Sequence, residues 1–233
     1  MDEKEIKRKK EKKKIESEVF DVNVLKTLSY FMNKKIIKSV DFPISKGKEA
    51  YVFRASTYRE GKYLAVKIYM IETSEFKNMF EYIHGDKRFF GVKKKKKDLI
   101  YAWTKKEFRN LKICEKAGVS SPRPIAMRNN VLIMEFIGND YPAPLLKDVG
   151  PTNPEENFNQ IIEEMKKMYK NNLIHADLSE YNILVKDKLY LIDFGQGVNL
   201  SHPRAEYFLK RDVRNVIRYF SKFGINKTEE EIL

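Results

Sequence analysis

Apolar positions recur along the chain at two different periods, and the changes of period divide it. From Val19 to Ile37 they fall at helical spacing, through Leu25, Leu28, Phe31, Met32 and Ile36, as for a helix packed on the domain behind it. Two short β-rich runs follow, 50–55 (AYVFRA) and 63–69 (YLAVKIY), joined by the turn Arg59-Glu60-Gly61-Lys62; together they predict a hairpin. Residues 75–97 carry aromatics, two glycines and a lysine run without clear period, and read largely as a mobile loop, placed at about 78–97. Helical spacing returns from Leu99 to Lys116 and stops at Gly118. The run Val131–Phe136 predicts a buried strand, and four prolines with two glycines across 138–154 predict a linker. Beyond it, Phe158, Ile161, Ile162, Met165, Met168 and Tyr169 share one helical face. Ile183–Val185 and Leu189–Ile192 are short strands. Pro203–Phe223 is a last amphipathic helix, with Phe208, Leu209, Val213, Val216, Ile217 and Phe220 apolar.

There are no internal repeats. The order predicts an α+β fold with a β-rich N-terminal lobe and a helical C-terminal lobe. Its divisions are a basic arm over 1–18, a helical extension over 19–40, an N-lobe over 41–137, a hinge and linker over 138–154, a C-lobe over 155–224 and a tail over 225–233.

Composition narrows the classes. A chain of 233 residues suffices for one large domain or two small lobes. No apolar run approaches the ~20 residues needed to span a bilayer, so no membrane partner is expected. The first residues lack an apolar stretch after their basic cluster, unlike a secretory signal. Cys114 is the only cysteine, which excludes an intrachain disulfide and a cysteine zinc site and suits a reducing cytoplasm. Lys and Arg total 46 against 33 acids, a formal excess of +13 concentrated at Lys4–Lys14 and Lys93–Lys97. Such runs are either solvated flanks or attractors of RNA phosphates, and charge alone does not separate the two.

The chemistry is concentrated near the C-terminal strands. His175-Ala-Asp177-Leu-Ser-Glu-Tyr-Asn182, followed by Leu191-Ile-Asp193-Phe-Gly195, resembles the catalytic and metal loops of protein kinases. Asp177 would orient the nucleophile or accept its proton, Asn182 would turn back to a metal, and Asp193 would arrive from the adjacent hairpin to hold the metal that bridges the phosphates. His175 reads as a structural residue bonding the loop. On the strand Ala65-Val-Lys67, a lysine between apolar neighbours carries a charge that needs a partner. Glu107 on the next helix is the candidate, with Glu115 the alternative. Ser45-Lys46-Gly47-Lys48-Glu49-Ala50 occupies the phosphate-loop position, yet it has neither the three-glycine pattern nor the spacing of a Walker loop.

Ser-x-Gly-Lys-Glu-Ala, His-x-Asp-Leu-Ser-x-x-Asn and Ile-Asp-Phe-Gly-Gln together resemble the RIO family of atypical kinases. The helix Lys-Thr-Leu-Ser-Tyr-Phe-Met-Asn-Lys-Lys-Ile-Ile points to its type-one subfamily. The resemblance spans about residues 20 to 223. It implies a bilobed protein-kinase-like fold, ATP with Mg²⁺ or Mn²⁺, and work on small-ribosomal-subunit precursors, rRNA and protein, as a monomer or weak dimer. Residue by residue it implies a Lys67–Glu107 ion pair, Asp177 as the catalytic residue and Asn182 with Asp193 as metal ligands. The resemblance also implies ATPase chemistry through a phospho-aspartate at Asp193. Met134 would back the adenine pocket, Glu135 and Ile137 would offer hinge backbone groups, Ser45 and Lys48 would lie near the phosphates, and Trp103 with the basic segment before it would match the family's flexible loop. Lys46 stands where the family often has Thr, and Ser179 where conventional kinases keep a Lys. About ten residues separate Gly195 from the last helix, so the activation segment and peptide-docking helices are missing. Two rival functions are a small-molecule phosphotransferase of kinase-like fold, which needs a larger C-terminal lobe, and a nucleotide-gated binding factor with slow turnover.

Overall fold

The structure is a computed structural model that describes residues 19–71, 76–89, 91–92 and 95–233. The basic arm over 1–18, and residues 93 and 94 of the lysine run, lie outside the described residues.

Helix α1 (Val22–Asn33) starts at Asp21, whose carboxylate accepts the Val24 N–H at 2.8 Å and so satisfies one of the first-turn donors. Its buried face is Val24, Thr27, Leu28 and Phe31. Leu25, expected on that face, is 49% exposed, because the helix is phased one residue away from the expected stripe.

Five antiparallel strands follow in the order β1-β2-β3-β5-β4: β1 Ser39–Lys46, β2 Ala50–Ser56, β3 Tyr63–Tyr69, β4 Pro124–Arg128 and β5 Val131–Glu135. Alternation sorts the two faces of this sheet. Val66, Ile68, Val131 and Ile133 point to α1, in a cluster with Leu28 and Phe31. Ala65, Leu132 and Met134 point the other way, onto Leu111 and Cys114 of helix α3 (Lys96–Ala117). Lys67 lies between Val66 and Ile68 and therefore shares the α3 face, which places its charge opposite Glu107. Truncating Phe31 to Ala would cost about 3–5 kcal/mol and loosen α1 from the sheet.

The stretch read as a mobile loop contains helix α2 (Phe76–His84) and a 3₁₀ turn at Lys87–Phe89. Met79, Tyr82, Ile83 and Phe89 are buried against Leu99, Ile100 and Trp103, and that burial orders the segment. Lys96 and Lys97 belong to the first turn of α3, so the end of the lysine run is helical.

The linker holds a helical turn, α4 (Leu146–Val149), and leads to α5 (Pro154–Lys170), capped by Asn153. Tyr169, expected on the buried face, is 49% exposed at the end of α5. The hairpin β6 (Ile183–Val185) and β7 (Leu189–Leu191) precedes α6 (Ala205–Ser221), and the tail adds a turn, α7 (Glu229–Ile232). One core runs through both lobes, joining Leu132 and Met134 to Phe158, Ile183, Leu191, Val213 and Phe220. The architecture is a bilobed α+β fold, a five-stranded lobe joined to a helical one.

Candidate active site

Where the two lobes meet lies a largely buried ionic bridge. Lys67 Nζ lies 2.9 Å from Glu107 Oε1 and 3.0 Å from Asp193 Oδ1. The lysine comes from β3, the glutamate from α3 and the aspartate from the loop after β7, so the contact fastens the two lobes together. Burial alone would lower the lysine pKa, but the charges of Asp193 and Glu107 outweigh it and hold the ammonium protonated. Burial raises the Glu107 pKa, and Lys67 opposes that rise. Glu107 is further held by the Tyr69 hydroxyl and by the Phe194 N–H at 3.2 Å. Glu115 is not the partner: it pairs with Lys112 on the outer side of α3.

Asp193 differs from its partners. Its side chain keeps 48% of its surface open to the cleft. Desolvation pushes its pKa up, yet Lys67 prevails and keeps the carboxyl below its ordinary value. Its backbone is left-handed, φ +65°, and the neighbouring catalytic loop has the same feature at Ala176, φ +63°. Such a conformation costs a residue with a Cβ roughly 1–2 kcal/mol and persists only where the surroundings impose it.

At Asp193 the surroundings are side chains of α3. Lys106, with no exposed surface, donates to the Gly195 carbonyl at 2.8 Å and also to the Gly197 carbonyl. Asn110 donates to the Phe194 and Gly197 carbonyls, both at 2.8 Å. The Trp103 indole covers Gly195 so closely that a Cβ there would lie 2.8 Å from its Nε1. Burial brings the Lys106 pKa down to about 7. Trp103 is therefore a buried residue of this clamp and not part of a flexible loop, because α3 carries it inward against the metal loop.

At Ala176 the surroundings are α6. Asp212 accepts the Ala176 N–H at 2.7 Å and the Leu178 N–H at 2.9 Å, gripping the loop on both sides of Asp177. Burial pushes the Asp212 carboxyl up to about 7, against the pull of those two bonds. Asp177 itself is half-buried. Asn182 Nδ2 donates to its carbonyl at 2.8 Å and to its Oδ2 at 3.1 Å. Burial, then the charge of Asp193, raise Asp177 to about 6. His175 bonds the Ile192 carbonyl at 3.0 Å, and burial lowers its pKa to about 4, so it is a neutral structural residue as expected.

With Asn182 Nδ2 committed to Asp177, its side-chain oxygen is the atom it can offer a metal, together with the Asp193 carboxylate. Among the described residues no group of three or more His, Cys, Asp or Glu could hold a metal. Two oxygen donors from the protein, with phosphates and water completing the shell, fit Mg²⁺, which keeps several waters and is bound by one or two carboxylates plus substrate phosphates.

The remaining candidates lie around this centre. Ser45, Val52, Lys67 and Leu132 are cross-strand partners in one row, so Ser45 is two strands from Lys67 on the same face. Lys48 is exposed in the turn between β1 and β2. Met134 is buried behind the cleft. The Glu135 N–H donates to the Arg123 carbonyl at 2.8 Å, and the Ile137 carbonyl accepts from Ala143 at 2.9 Å.

The model of the RIO domain matches residues 51–233. The chain belongs to the RIO family. The RIO-type serine/threonine-protein kinase Rio1 of Haloferax volcanii is 41% identical over 213 residues, 91% of this chain and 73% of that protein. Rio1 of Thermoplasma acidophilum is 42% identical over 182 residues, 78% of this chain and 96% of that protein. Among solved structures, the Rio2 kinase–ADP/Mg²⁺–phosphoaspartate complex of Chaetomium thermophilum superposes with a TM-score of 0.67 at 23% identity, covering 86% of this chain and 61% of that one. The chain is thus an enzyme of the serine/threonine-kinase type with the RIO fold, and the bracing by Lys106, Asn110 and Asp212 is what reading the motifs alone missed.

Proposed function

We propose that this RIO protein is an ATP- and divalent-metal-dependent kinase and ATPase that works on small-ribosomal-subunit precursors in the cytoplasm. The observation that carries the catalytic part is Lys67, held within 3.0 Å of both Glu107 and Asp193 across the lobe junction, with Asp177 and Asn182 on the facing loop. Lys67 holds the α- and β-phosphates. Backbone groups of Glu135 and Ile137 meet adenine in front of Met134, where the Glu135 N–H and the Ile137 carbonyl are bonded to Arg123 and Ala143. Ser45 and Lys48 line the phosphate end. Asn182 and Asp193 hold Mg²⁺ or Mn²⁺, which when bound neutralises charge on the phosphates.

Asp177, with a pKa raised to about 6, orients the reacting groups and serves as the base for the water of the second step. Nine positions lie between Gly195 and Ala205, the first residue of α6, which leaves no platform for an extended peptide. We therefore assign the first acceptor as Asp193. Its carboxylate oxygen bonds to the γ-phosphorus as the bond to the β-phosphate oxygen breaks and ADP leaves. Water activated by Asp177 then attacks the acyl phosphate, releasing inorganic phosphate and restoring Asp193. Hydrolysis times release from the precursor. The test is ATP turnover with and without precursor particles, alongside co-sedimentation in ATP, in ADP and without nucleotide. The account expects particle-stimulated hydrolysis and nucleotide-dependent release; turnover and binding that ignore the particle would overturn it.

A further inference from the structure

On the side of α6 away from the core, four side chains form one stripe: Tyr207, Arg211, Arg214 and Arg218 follow at intervals of four, three and four residues, which stack on a helix within about a sixth of its circumference. Tyr207 is 48% exposed and Arg214 is 53% exposed at the side chain. After α6 the chain reverses at Gly224, φ +86°, and brings Lys227 and Glu229 opposite the stripe. A capping box, with Thr228 and Glu231 bonded to each other's backbone, fixes that second wall. The two walls enclose an open cavity of about 520 Å³, whose lining includes Arg211, Arg214, Arg218 and Lys227 against the single acid Glu229. The opposing charge is loosely used, since Arg214 and Glu229 are 3.7 Å apart.

This cavity abuts the catalytic loop without belonging to the nucleotide cleft. Arg211 donates to the Ala176 carbonyl, and Asn215 donates to the Leu178 carbonyl at 3.1 Å, on either side of Asp177.

We propose that the stripe and cavity on α6 bind the phosphodiester backbone of single-stranded RNA, with phosphates on Arg214, Arg218 and Lys227 and a base stacked on Tyr207. Four cations face two acids, Glu229 in the lining and Glu231, which pairs with Lys227 at 3.0 Å, and the surplus selects a polyanion. Three of the four are arginines, whose planar fork matches phosphate oxygens in pairs. An exposed tyrosine in line with the cations supplies the stacking surface that single strands use and acidic peptides do not need. The inference rests on the reading of the partner as a ribosomal precursor, and it names the surface that engages its RNA.

The test is the triple substitution Arg214→Gln, Arg218→Gln, Lys227→Gln, compared with a charge-matched control, Lys112→Gln, Lys166→Gln, Lys188→Gln, on other faces. The probe is a fluorescein-labelled single-stranded RNA of about 12 nucleotides, followed by anisotropy across a salt series. Basal ATP turnover stays at the wild-type level in both variants, since none of these residues touches the nucleotide or the metal loop. The proposal expects the α6 variant to bind at least about tenfold more weakly, with a log–log salt slope flatter by about 2, because each lost phosphate contact on a single strand removes about 0.7. The control stays within about twofold of wild type.

Equal weakening in both variants, or in neither, would overturn the proposal. So would polyglutamate competing as well as RNA at equal charge, which would make the occupant an acidic protein. Particle co-sedimentation separates this inference from the function it rests on: an α6 variant that still binds the precursor like wild type overturns the surface and leaves the partner standing, whereas a wild-type chain that binds RNA here but ignores the particle overturns the partner and leaves the surface.

Discussion

The two loops that face each other across the cleft are both gripped by buried side chains, but with opposite polarity, donors on the carbonyls of one and an acceptor on the N–H groups of the other. The metal loop is fixed by buried side chains: Lys67 and Glu107 by charge, and Lys106 and Asn110 by bonds to the carbonyls of residues 194, 195 and 197. The catalytic loop is fixed through its backbone, by Asp212 on the N–H groups of Ala176 and Leu178, which leaves the Asp177 carboxylate half-open to the cleft. A loop that must hold charge against phosphates is braced in a dry layer, where every loss orphans a buried group. A loop that must exchange a proton is braced from behind, so its carboxylate stays free to move between states.

The largest effect separates the two loops by function. Asp177→Ala should lower turnover by roughly 10²–10⁴-fold with nucleotide affinity nearly intact, as read by steady-state kinetics and nucleotide titration. Asp193→Ala should abolish turnover and weaken metal-nucleotide binding as well. Equal affinity losses in both would erase the distinction.

The next test concerns stability. Lys67→Met leaves Glu107 buried without its cation and should cost about 3–5 kcal/mol in urea unfolding, while adding Glu107→Leu to it should restore part of that loss without restoring activity. A double variant no more stable than the single would show that the bridge is not braced by charge.

A smaller loss is expected at the clamp. Lys106→Met keeps the side-chain volume and removes only the bonds to Gly195 and Gly197, at a cost of about 1–3 kcal/mol. Because those bonds aim the loop that carries Asp193, KM for metal-ATP should rise more than kcat falls. A stability loss with unchanged kinetics would make Lys106 a packing residue only.

The smallest effect is a slope. Folded Asp212 keeps its proton up to about pH 7, while an unfolded aspartate releases it near 3.8. Between those values the folded state binds more protons, so this group makes stability fall as pH rises through that window. Asp212→Asn should remove up to about 1.4 kcal/mol per pH unit of that fall, measured as urea midpoints from pH 4 to 7. An unchanged slope would mean that Asp212 is ionised throughout.

The motif residues were legible because phosphoryl transfer needs particular side chains at fixed separations: Asp177 and Asn182, Asp193 and Lys67 stand where the spacing put them. The bracing was harder to read, although a signal exists. Lys106 and Asn110 lie on the buried stripe of α3 with Trp103, Glu107, Leu111 and Cys114, and Asp212 lies on that of α6 with Phe208, Val213 and Val216. A charged or amide residue on an apolar stripe has a partner to find, and that partner is backbone, which spacing does not reveal. Strands β1 and β4 escaped notice because both are edge strands with register shifts and contain proline, so neither alternates. Helix α2 does carry apolar residues at 76, 79, 80 and 83, but glycine and the lysine run in the same window masked the period.

The central claim is that γ-phosphate passes through Asp193, and the most direct measurement follows the label. The full chain is incubated with γ-labelled ATP and Mg²⁺ and quenched in acid. The account predicts an acid-stable, hydroxylamine-labile phosphate on the protein that is absent from Asp193→Asn. Robust peptide phosphorylation with negligible ATP hydrolysis and no such adduct would contradict it.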